Sequence, residues 1–467
     1  MKRQRIGHST ALASIICIVG GFAPAVAQDG AVGGATLEDA PGGTTLTFGI
    51  SSTLSVSDNF SLAVVAPGTS TILDTALSFG YLTQTATSRF AFDVEGVLRA
   101  SDIPGVGSDL RFDDASAALG YSREWADSRL DITADYNRVN LDFLDPFSLT
   151  ELSDTDLIDS SGTLESRNVD LKFETGLNAP IGVGFELSHA ANDYFDTTDP
   201  GLFDSETNDI ALTSRLRLSP VAEARLRLSQ EDYTAQDVAL TDRTTRALSF
   251  GVAYELSAVT TLDVSAGVEK IETTGVGTDR GSFGTVSLTR ALANGSAGVV
   301  LDRSFGIEGG RTTLSANRSL DLPGGSLAVS LGVTRGELDG TAVIGSLDYD
   351  QTLARGALTA SLSRSVASNT SGNDILTTNA AVGYSLELTP VSGLSLDFNF
   401  AEIENVGSGT TSNTNRSSLR AEYTRALTPD WDLSAGYQHQ RLFTEGTGTA
   451  NSNTIFLTLG RDFSIRR

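Results

Sequence analysis

Arg89-Phe-Ala-Phe-Asp-Val-Glu-Gly-Val-Leu-Arg99 places apolar side chains at Phe90, Phe92, Val94 and Leu98 and charges at Arg89, Asp93, Glu95 and Arg99. In an extended chain, residues two apart share a face. One face of this stretch is therefore oily and the other charged, as in a strand that separates hydrocarbon from water. The same period runs through Leu46-Phe48-Ile50-Leu54-Val56, Leu130-Ile132-Ala134-Tyr136, Val169-Leu171-Phe173, Leu248-Phe250-Val252-Tyr254, Leu327-Val329-Leu331-Val333, Leu394-Leu396-Phe398-Phe400 and Ile455-Leu457-Leu459. Opposite faces hold Asp131 and Asp135, Asp170 and Lys172, Arg215 and Arg217, then Asp397 and Asn399. A soluble sandwich also alternates, but seldom over a whole chain without large-residue cores or long buried apolar runs. After Ala27 no apolar run approaches the ~18 to 20 residues of a helical span.

Connector lengths extend the reading. Short polar breaks fall at 83–87, 125–127, 178–182, 219–221, 257–260, 292–295, 321–325, 354–356, 389–392 and 428–430. Asn294-Gly295 and Pro323-Gly324 are turn formers, and Pro180, Pro220, Pro390 and Pro429 sit where no ladder donor is needed. Longer connectors alternate with them at 139–166, 194–206, 367–372 and 442–452. This predicts an all-β, antiparallel up-and-down transmembrane β-barrel of about 22 strands, 18 to 24 at the limits, with short periplasmic turns and both termini periplasmic.

Lys2, Arg3 and Arg5 precede an apolar run from Ala11 to Val19 and then Ala25-Val26-Ala27. That pattern predicts a signal peptide over 1–27, a short periplasmic segment over 28–43 and a barrel over 44–467, with the outer membrane as destination. The single cysteine, Cys17, lies inside the apolar core of the signal and is not in a lipobox. The mature chain would lack a disulfide framework. Removing three basic residues takes the formal charge from -25 to (33 - 3) - 58 = -28, which disfavours nucleic acid as a partner. Solvated loops account for such acidity. Divalent cations bridging to lipopolysaccharide, or a cation-favouring pore mouth, are the functional alternatives.

Aromatic residues report on the bilayer interfaces. Tyr81, Tyr121, Tyr254, Tyr384 and Tyr423 share the oily parity just before short turns, and Trp431 begins a strand on that side, so together they predict a girdle. A hairpin-sized similarity joins Tyr254-Glu-Leu-Ser-Ala-Val-Thr-Thr-Leu-Asp-Val-Ser-Ala-Gly267 to the segments Tyr384 to Leu396 and Tyr423 to Tyr437. With Leu54-Ser-Val-Ser-Asp-Asn-Phe-Ser-Leu62, these segments resemble the β-barrel porin 2 family of proteobacterial outer-membrane proteins. The resemblance implies an outer-membrane barrel, in some members associated with exopolysaccharide systems, and implies no catalytic residues. Leu457, Leu459 and Phe463 form an alternating terminal strand suited to the barrel-assembly machinery, although Ser464-Ile-Arg-Arg467 overruns the usual aromatic end.

Chemistry is sparse. His189 and His439 are the only histidines after the signal, share the lipid-facing parity and lie far apart in strand order, so no dyad or enzyme is expected. Lys172 and Lys270 follow Leu171 and Glu269, which excludes a Gly-Lys-Ser/Thr phosphate loop. No cofactor is expected. Acids at Asp142, Asp145, Glu151, Asp154, Asp156 and Asp159 could gather divalent cations, but they lack the spacing of a calcium loop. The polar constellation that stands out is Arg215, Arg217, Glu223, Arg225, Arg227 and Glu231, all on the inward parity around the Pro220 turn. It reads either as a salt-bridge ladder or as a charged constriction.

The span 28–43 is short for a plug, which disfavours a plugged siderophore-type transporter, and the connector 139–166 is the candidate for folding inward to meet these arginines. The expected function is passive or weakly selective diffusion of small hydrophilic solutes. Polysaccharide export and a structural or adhesive barrel with a blocked lumen are the alternatives. Outer-membrane lipid and lipopolysaccharide are the expected surroundings.

Overall fold

The computed structural model describes residues 42–144, 161–197, 201–307, 309–337, 340–368, 374–405 and 413–466. Its strands are β1 (Gly43–Ser57), β2 (Ser70–Gln84), β3 (Ser88–Ile103), β4 (Gly107–Glu124), β5 (Ser128–Asn140), β6 (Thr163–Thr175), β7 (Ile181–Phe195), β8 (Ser205–Ser219), β9 (Ala222–Ala235), β10 (Asp242–Ser257) and β11 (Thr260–Thr273). They continue as β12 (Gly277–Leu292), β13 (Gly295–Gly306), β14 (Gly309–Leu322), β15 (Gly325–Gly336), β16 (Gly340–Leu353), β17 (Gly356–Ser368), β18 (Asp374–Thr389), β19 (Ser392–Asn405), β20 (Thr414–Ala426), β21 (Trp431–Thr444) and β22 (Gly448–Arg466). Each strand pairs antiparallel with its chain neighbours, and β1 pairs with β22 from Thr45↔Arg466 to Ser57↔Thr454. The 22-stranded sheet is therefore a closed barrel, as the alternation predicts. Closure gives every strand a partner on both sides, which a hydrocarbon environment requires.

Register carries the parity of one strand to the next. Phe48 lies opposite Phe79, Phe79 opposite Val94, and Val94 opposite Ala117. Following the same rows places Leu228, Leu248, Val268, Val286, Leu301 and Leu314 on one face, all solvent-accessible in the isolated chain. A continuous apolar exterior on a closed sheet is a surface matched to lipid.

All ten short connectors fall where the sequence places them, and both ends of the described barrel lie on that side. At the 293–294 turn, a side chain on Gly295 would approach the Ser319 carbonyl oxygen to 2.2 Å, so only glycine fits. Gly324, at φ +78, supplies the left-handed conformation at the Pro323 turn. The look-alike segments at Tyr254 and Tyr384 fold alike. In both, the register slips just before the turn, between Glu255 and Ser257 and between Glu387 and Thr389. The third, at Tyr423, has a longer turn and no such slip.

One boundary differs from expectation. The connector 442–452 is a short turn at 445–447, because β21 runs to Thr444 and β22 begins at Gly448. Its polar residues belong to strand ends that continue the backbone ladder, which composition does not distinguish from a loop. Ser464, Ile465 and Arg466, beyond the terminal aromatic, pair with Thr47, Leu46 and Thr45. Removing 464–467 is expected to leave Phe463 opposite Phe48 and to preserve assembly. Loss of the last rungs should lower stability by about 1 kcal/mol per net backbone hydrogen bond, read as an earlier unfolding temperature in heat-modifiable gel migration. The segments 1–27 and 28–41 lie outside the described residues.

Candidate functional site in the barrel lumen

The inward rows are polar on strand after strand. Hydroxyls meet across them: Ser330 and Ser346 at 2.8 Å, Ser296 and Ser319 at 2.8 Å, Thr53 and Thr458 at 2.8 Å. Thr313 donates to Thr334 at 2.9 Å, and Thr285 donates to Asp302 at 2.6 Å. Small side chains keep this wall low, and charges stand on it both over β5 to β11 and over β2 to β4.

All six residues of the expected cluster share the inward parity. Their connections, however, divide into two layers. Near the short turns, Arg215 donates to the carbonyls of Gly176 at 2.9 Å and Leu177 at 3.2 Å, and Arg217 donates to Leu177 at 3.5 Å. Arg215 also lies 3.8 Å from Glu223. These two arginines fasten the β6–β7 turn to β8. Farther along the wall, Arg225 and Arg227 reach over intervening strands. Arg225 pairs with Asp263 of β11, and the residue opposite it on β10 is Gly251, which leaves its path clear. Arg227 pairs with Glu186 of β7 at 2.6 Å, passing β8 beside Ala211 and Thr213. Arg243 lies 3.9 Å from Glu231 and stacks 4.7 Å from the Tyr233 ring centroid. The arrangement is a salt-bridge ladder five strands wide, from β7 to β11, whose half-exposed side chains are partly screened.

A second inward constellation has no counterpart in the sequence reading. Arg99 of β3 is 7% exposed and lies 2.8 Å from Asp74, 2.8 Å from Asp114 and 3.7 Å from Asp113. A bulge in β4, where Glu95 faces Ser116 but Val97 faces Asp113, gathers the two adjacent carboxylates on one arginine. Asp114 sits at φ +51 and accepts the Asn140 backbone N–H at 3.0 Å. Asn140 caps a 3₁₀ turn at Leu141–Phe143, and the Phe143 ring lies 4.2 Å from the Arg99 guanidinium carbon.

The β1–β2 connector completes this mouth structure. Leu62 is buried with Leu442 and Ala450, which share the inward parity of β21 and β22. Asn59 donates to the carbonyl oxygens of Ala63 at 2.8 Å and Asn451 at 2.9 Å. Phe60 meets Phe143 at 5.5 Å between centroids. The connector 58–69 and the 3₁₀ turn thus fold over the inner wall at the mouth opposite the short turns. Of the connector expected to fold inward, residues 141–144 approach Arg99 rather than the β8–β9 arginines, and 145–160 lie outside the described residues, as do the acids Asp145 to Asp159. Asp142 is described. The apolar content of this connector, with Phe60, Leu62, Val64 and Val65, is the signal that could have identified the infolded segment.

Asp58 anchors the connector. It accepts the Asn453 side-chain amide at 2.7 Å and the Asn453 backbone N–H at 2.8 Å, which hold its carboxyl below the usual carboxylate range. Because the folded value is depressed, the anchor is intact above the unfolded value and is lost as pH falls through the folded one. Amide exchange at Asn453 is expected to accelerate, relative to the barrel rows, only once pH falls below the ordinary carboxylate value of about 3.9; a loss of protection already above that value would refute the anchor.

The remaining singled-out residues lie elsewhere. Tyr81, Tyr121, Tyr254, Tyr384, Tyr423 and Trp431 occupy outward rows near the short turns, with Tyr81 and Phe90 in edge contact at 5.9 Å. Leu457, Leu459 and Phe463 occupy outward rows of β22. His189 and His439 face outward toward the other rim, each beside an asparagine, Asn208 at 2.8 Å and Asn453 at 3.0 Å. Among the described residues, no cluster of His, Cys, Asp and Glu is placed to hold a metal ion.

Solved structures share this architecture. A variant of the ferric enterobactin receptor from Pseudomonas aeruginosa, in complex with enterobactin, aligns over 91% of this chain and 82% of its own at 10% identity and a TM-score of 0.56. The ferric-catecholate import receptor Fiu from E. coli K12 aligns over 89% and 81% at 10% identity and 0.55. The ferric preacinetobactin receptor from Acinetobacter baumannii aligns over 90% and 80% at 10% identity and 0.53. At this identity the likeness is one of fold. No protein-family model matches the chain, and no curated protein matches it by sequence. The barrel implied by the resemblance to the porin 2 family is present, whereas the matches do not extend to that family. The closed barrel and its apolar exterior make the chain an outer-membrane protein.

Proposed function

We propose that the barrel conducts small hydrophilic solutes by passive, weakly cation-favouring diffusion. The observation that carries this reading is the largely polar inner wall, whose hydroxyl rows and paired charges suit hydrated solutes. Inward acids such as Asp93, Glu95, Asp135, Asp170 and Asp209 support the sign of the preference. In planar bilayers the purified full chain is expected to give discrete conductance steps and a cation-signed reversal potential in a salt gradient. An absence of steps from protein shown to be folded by heat-modifiable migration would sink the proposal.

The infolded mouth favours a second reading, ligand-specific uptake of the kind the structurally similar receptors are named for. It predicts little basal conductance and saturable binding of a ferric chelate. Replacing residues 58–69 by a short Gly-Ser linker separates the two. Diffusion past a partial obstruction gives a modest rise above an existing conductance, whereas a gated transporter gives conductance only after the change.

A further inference from the structure

The outer surface carries a concavity of about 1050 Å³ across β8 to β15, near the rim opposite the short turns. Its lining residues fall mainly on the outward rows. Ile210, Leu212, Leu228, Leu248, Val268 and Phe305 supply an apolar floor. Above them, Arg246, Lys270 and Arg280 stand directly opposite one another on three successive strands, and Arg303 closes the side on β13. The recess has a structural cause. The β12–β13 ladder stops at Gly284↔Arg303, although β12 continues outward to Gly277 and β13 to Gly306. The walls part there, and Phe305 lies against Gly281, where an added Cβ would come within 2.1 Å of the ring.

Charge is sorted by height. The cations occupy the row next to the apolar floor, while Glu272 and Asp232 lie one row farther toward the rim, opposite Thr244 on either side. Glu272 lies 3.1 Å from Arg246 and 2.5 Å from Lys270, Glu337 lies 2.7 Å from Arg303, and Gln230 accepts from Arg246 at 2.9 Å. On the outward face four cations therefore meet three carboxylates, while another carboxylate of the lining, Glu269, belongs to the inward row. Exposed leucines alone would be ordinary for a lipid-facing wall. Leucines beneath a row of phosphate-binding side chains match an amphiphile whose anionic headgroup lies at the interface and whose chains run down the barrel.

We propose that this recess binds one phosphorylated glycolipid of the outer leaflet, with its phosphates on Arg246, Lys270, Arg280 and Arg303 and its acyl chains over Leu228, Leu248 and Val268. The proposal rests on the periplasmic placement of the short turns, which sets the recess in the outer leaflet, and is independent of whether the lumen conducts. The carboxylates one row outward lie where divalent cations would bridge a bound molecule to its neighbours.

Native mass spectrometry of the purified full chain, exchanged into detergent and titrated with diphosphoryl lipid A, tests it. Wild type is expected to retain one molecule, and lipid A stripped of both phosphates should bind at least about tenfold more weakly, as loss of charge-assisted contacts requires. The R246A/K270A/R280A variant should lose retention to the same extent, while R364A, which breaks an outward pair with Glu404 elsewhere on the rim, should not. Equal binding of the dephosphorylated lipid, or equal binding of phosphatidylglycerol, overturns the proposal without any variant having to fold. A barrel in the wrong orientation would instead be revealed by protease cleavage of the 236–241 connector from the periplasmic side.

Discussion

Val286→Arg is expected to destabilise the assembled barrel by about 2–4 kcal/mol, the cost of a guanidinium on the lipid face near the bilayer centre. Ser287→Arg, one residue away, should change stability by only about 0.5 kcal/mol, as for a solvated surface position. The difference follows from register. Val286 of β12 lies between Val264 and Leu301 in an outward apolar row and is 42% accessible in the isolated chain. Ser287 lies between Asp263 and Val300 on the inward row, where the new cation meets water and a carboxylate. Urea unfolding in vesicles, followed through Trp125 and Trp431 fluorescence, measures both. Equal losses would mean that the faces are misassigned, and a reversed order would turn the barrel inside out.

Why the sheet could be read from the chain, and its inner surface only in part, has a physical basis. Alternation is local. Phe90, Phe92 and Val94 announce their face without knowledge of any partner, and Asn294-Gly295 announces a turn by its own backbone preferences. Hairpin neighbours are nearly as local, so Arg215, Arg217, Arg225 and Arg227 can be placed together from the Pro220 turn alone. Their partners cannot. Arg225 reaches Asp263 only because Gly251 leaves β10 low at that row, and Arg227 crosses β8 to Glu186.

Arg99 is harder still. Asp74 is its register neighbour, but Asp113 and Asp114 join it through a bulge, a displacement that no periodicity reports. The mouth segment 58–69 was hidden for another reason. Half of its residues are apolar but Val64 and Val65 are exposed, and its anchors, buried Leu62 and half-buried Phe60, acquire meaning only when β21, β22 and the 3₁₀ turn are beside them. The turn at 445–447 errs in the opposite direction, since strand ends beyond the bilayer have no lipid to impose apolar rows.

Replacing Arg225 and Arg227 together by glutamine is expected to raise the cation-to-anion permeability ratio about fivefold, taking about 1 kcal/mol as the interaction of one unit charge at 4 Å in a water-like medium. In the wild type both guanidiniums are paired, Arg225 with Asp263 and Arg227 with Glu186. The substitution therefore removes two positive charges and releases two carboxylates to the lumen, so both changes act in one direction. The side chains concerned are each roughly 40% exposed, which keeps the structural cost small and the electrostatic effect salt-dependent. Reversal potentials at low and high salt would show this, with the shift shrinking as ionic strength rises. Arg215 and Arg217 supply the contrast. They donate to turn carbonyls at Gly176 and Leu177, so their replacement should loosen the β6–β7 turn and add current noise with a smaller change in selectivity. If the R225Q/R227Q pair left the reversal potential unchanged while conductance persisted, these arginines would be structural ties away from the ion path, and the selectivity would have to arise at the mouth near Arg99, Asp74, Asp113 and Asp114.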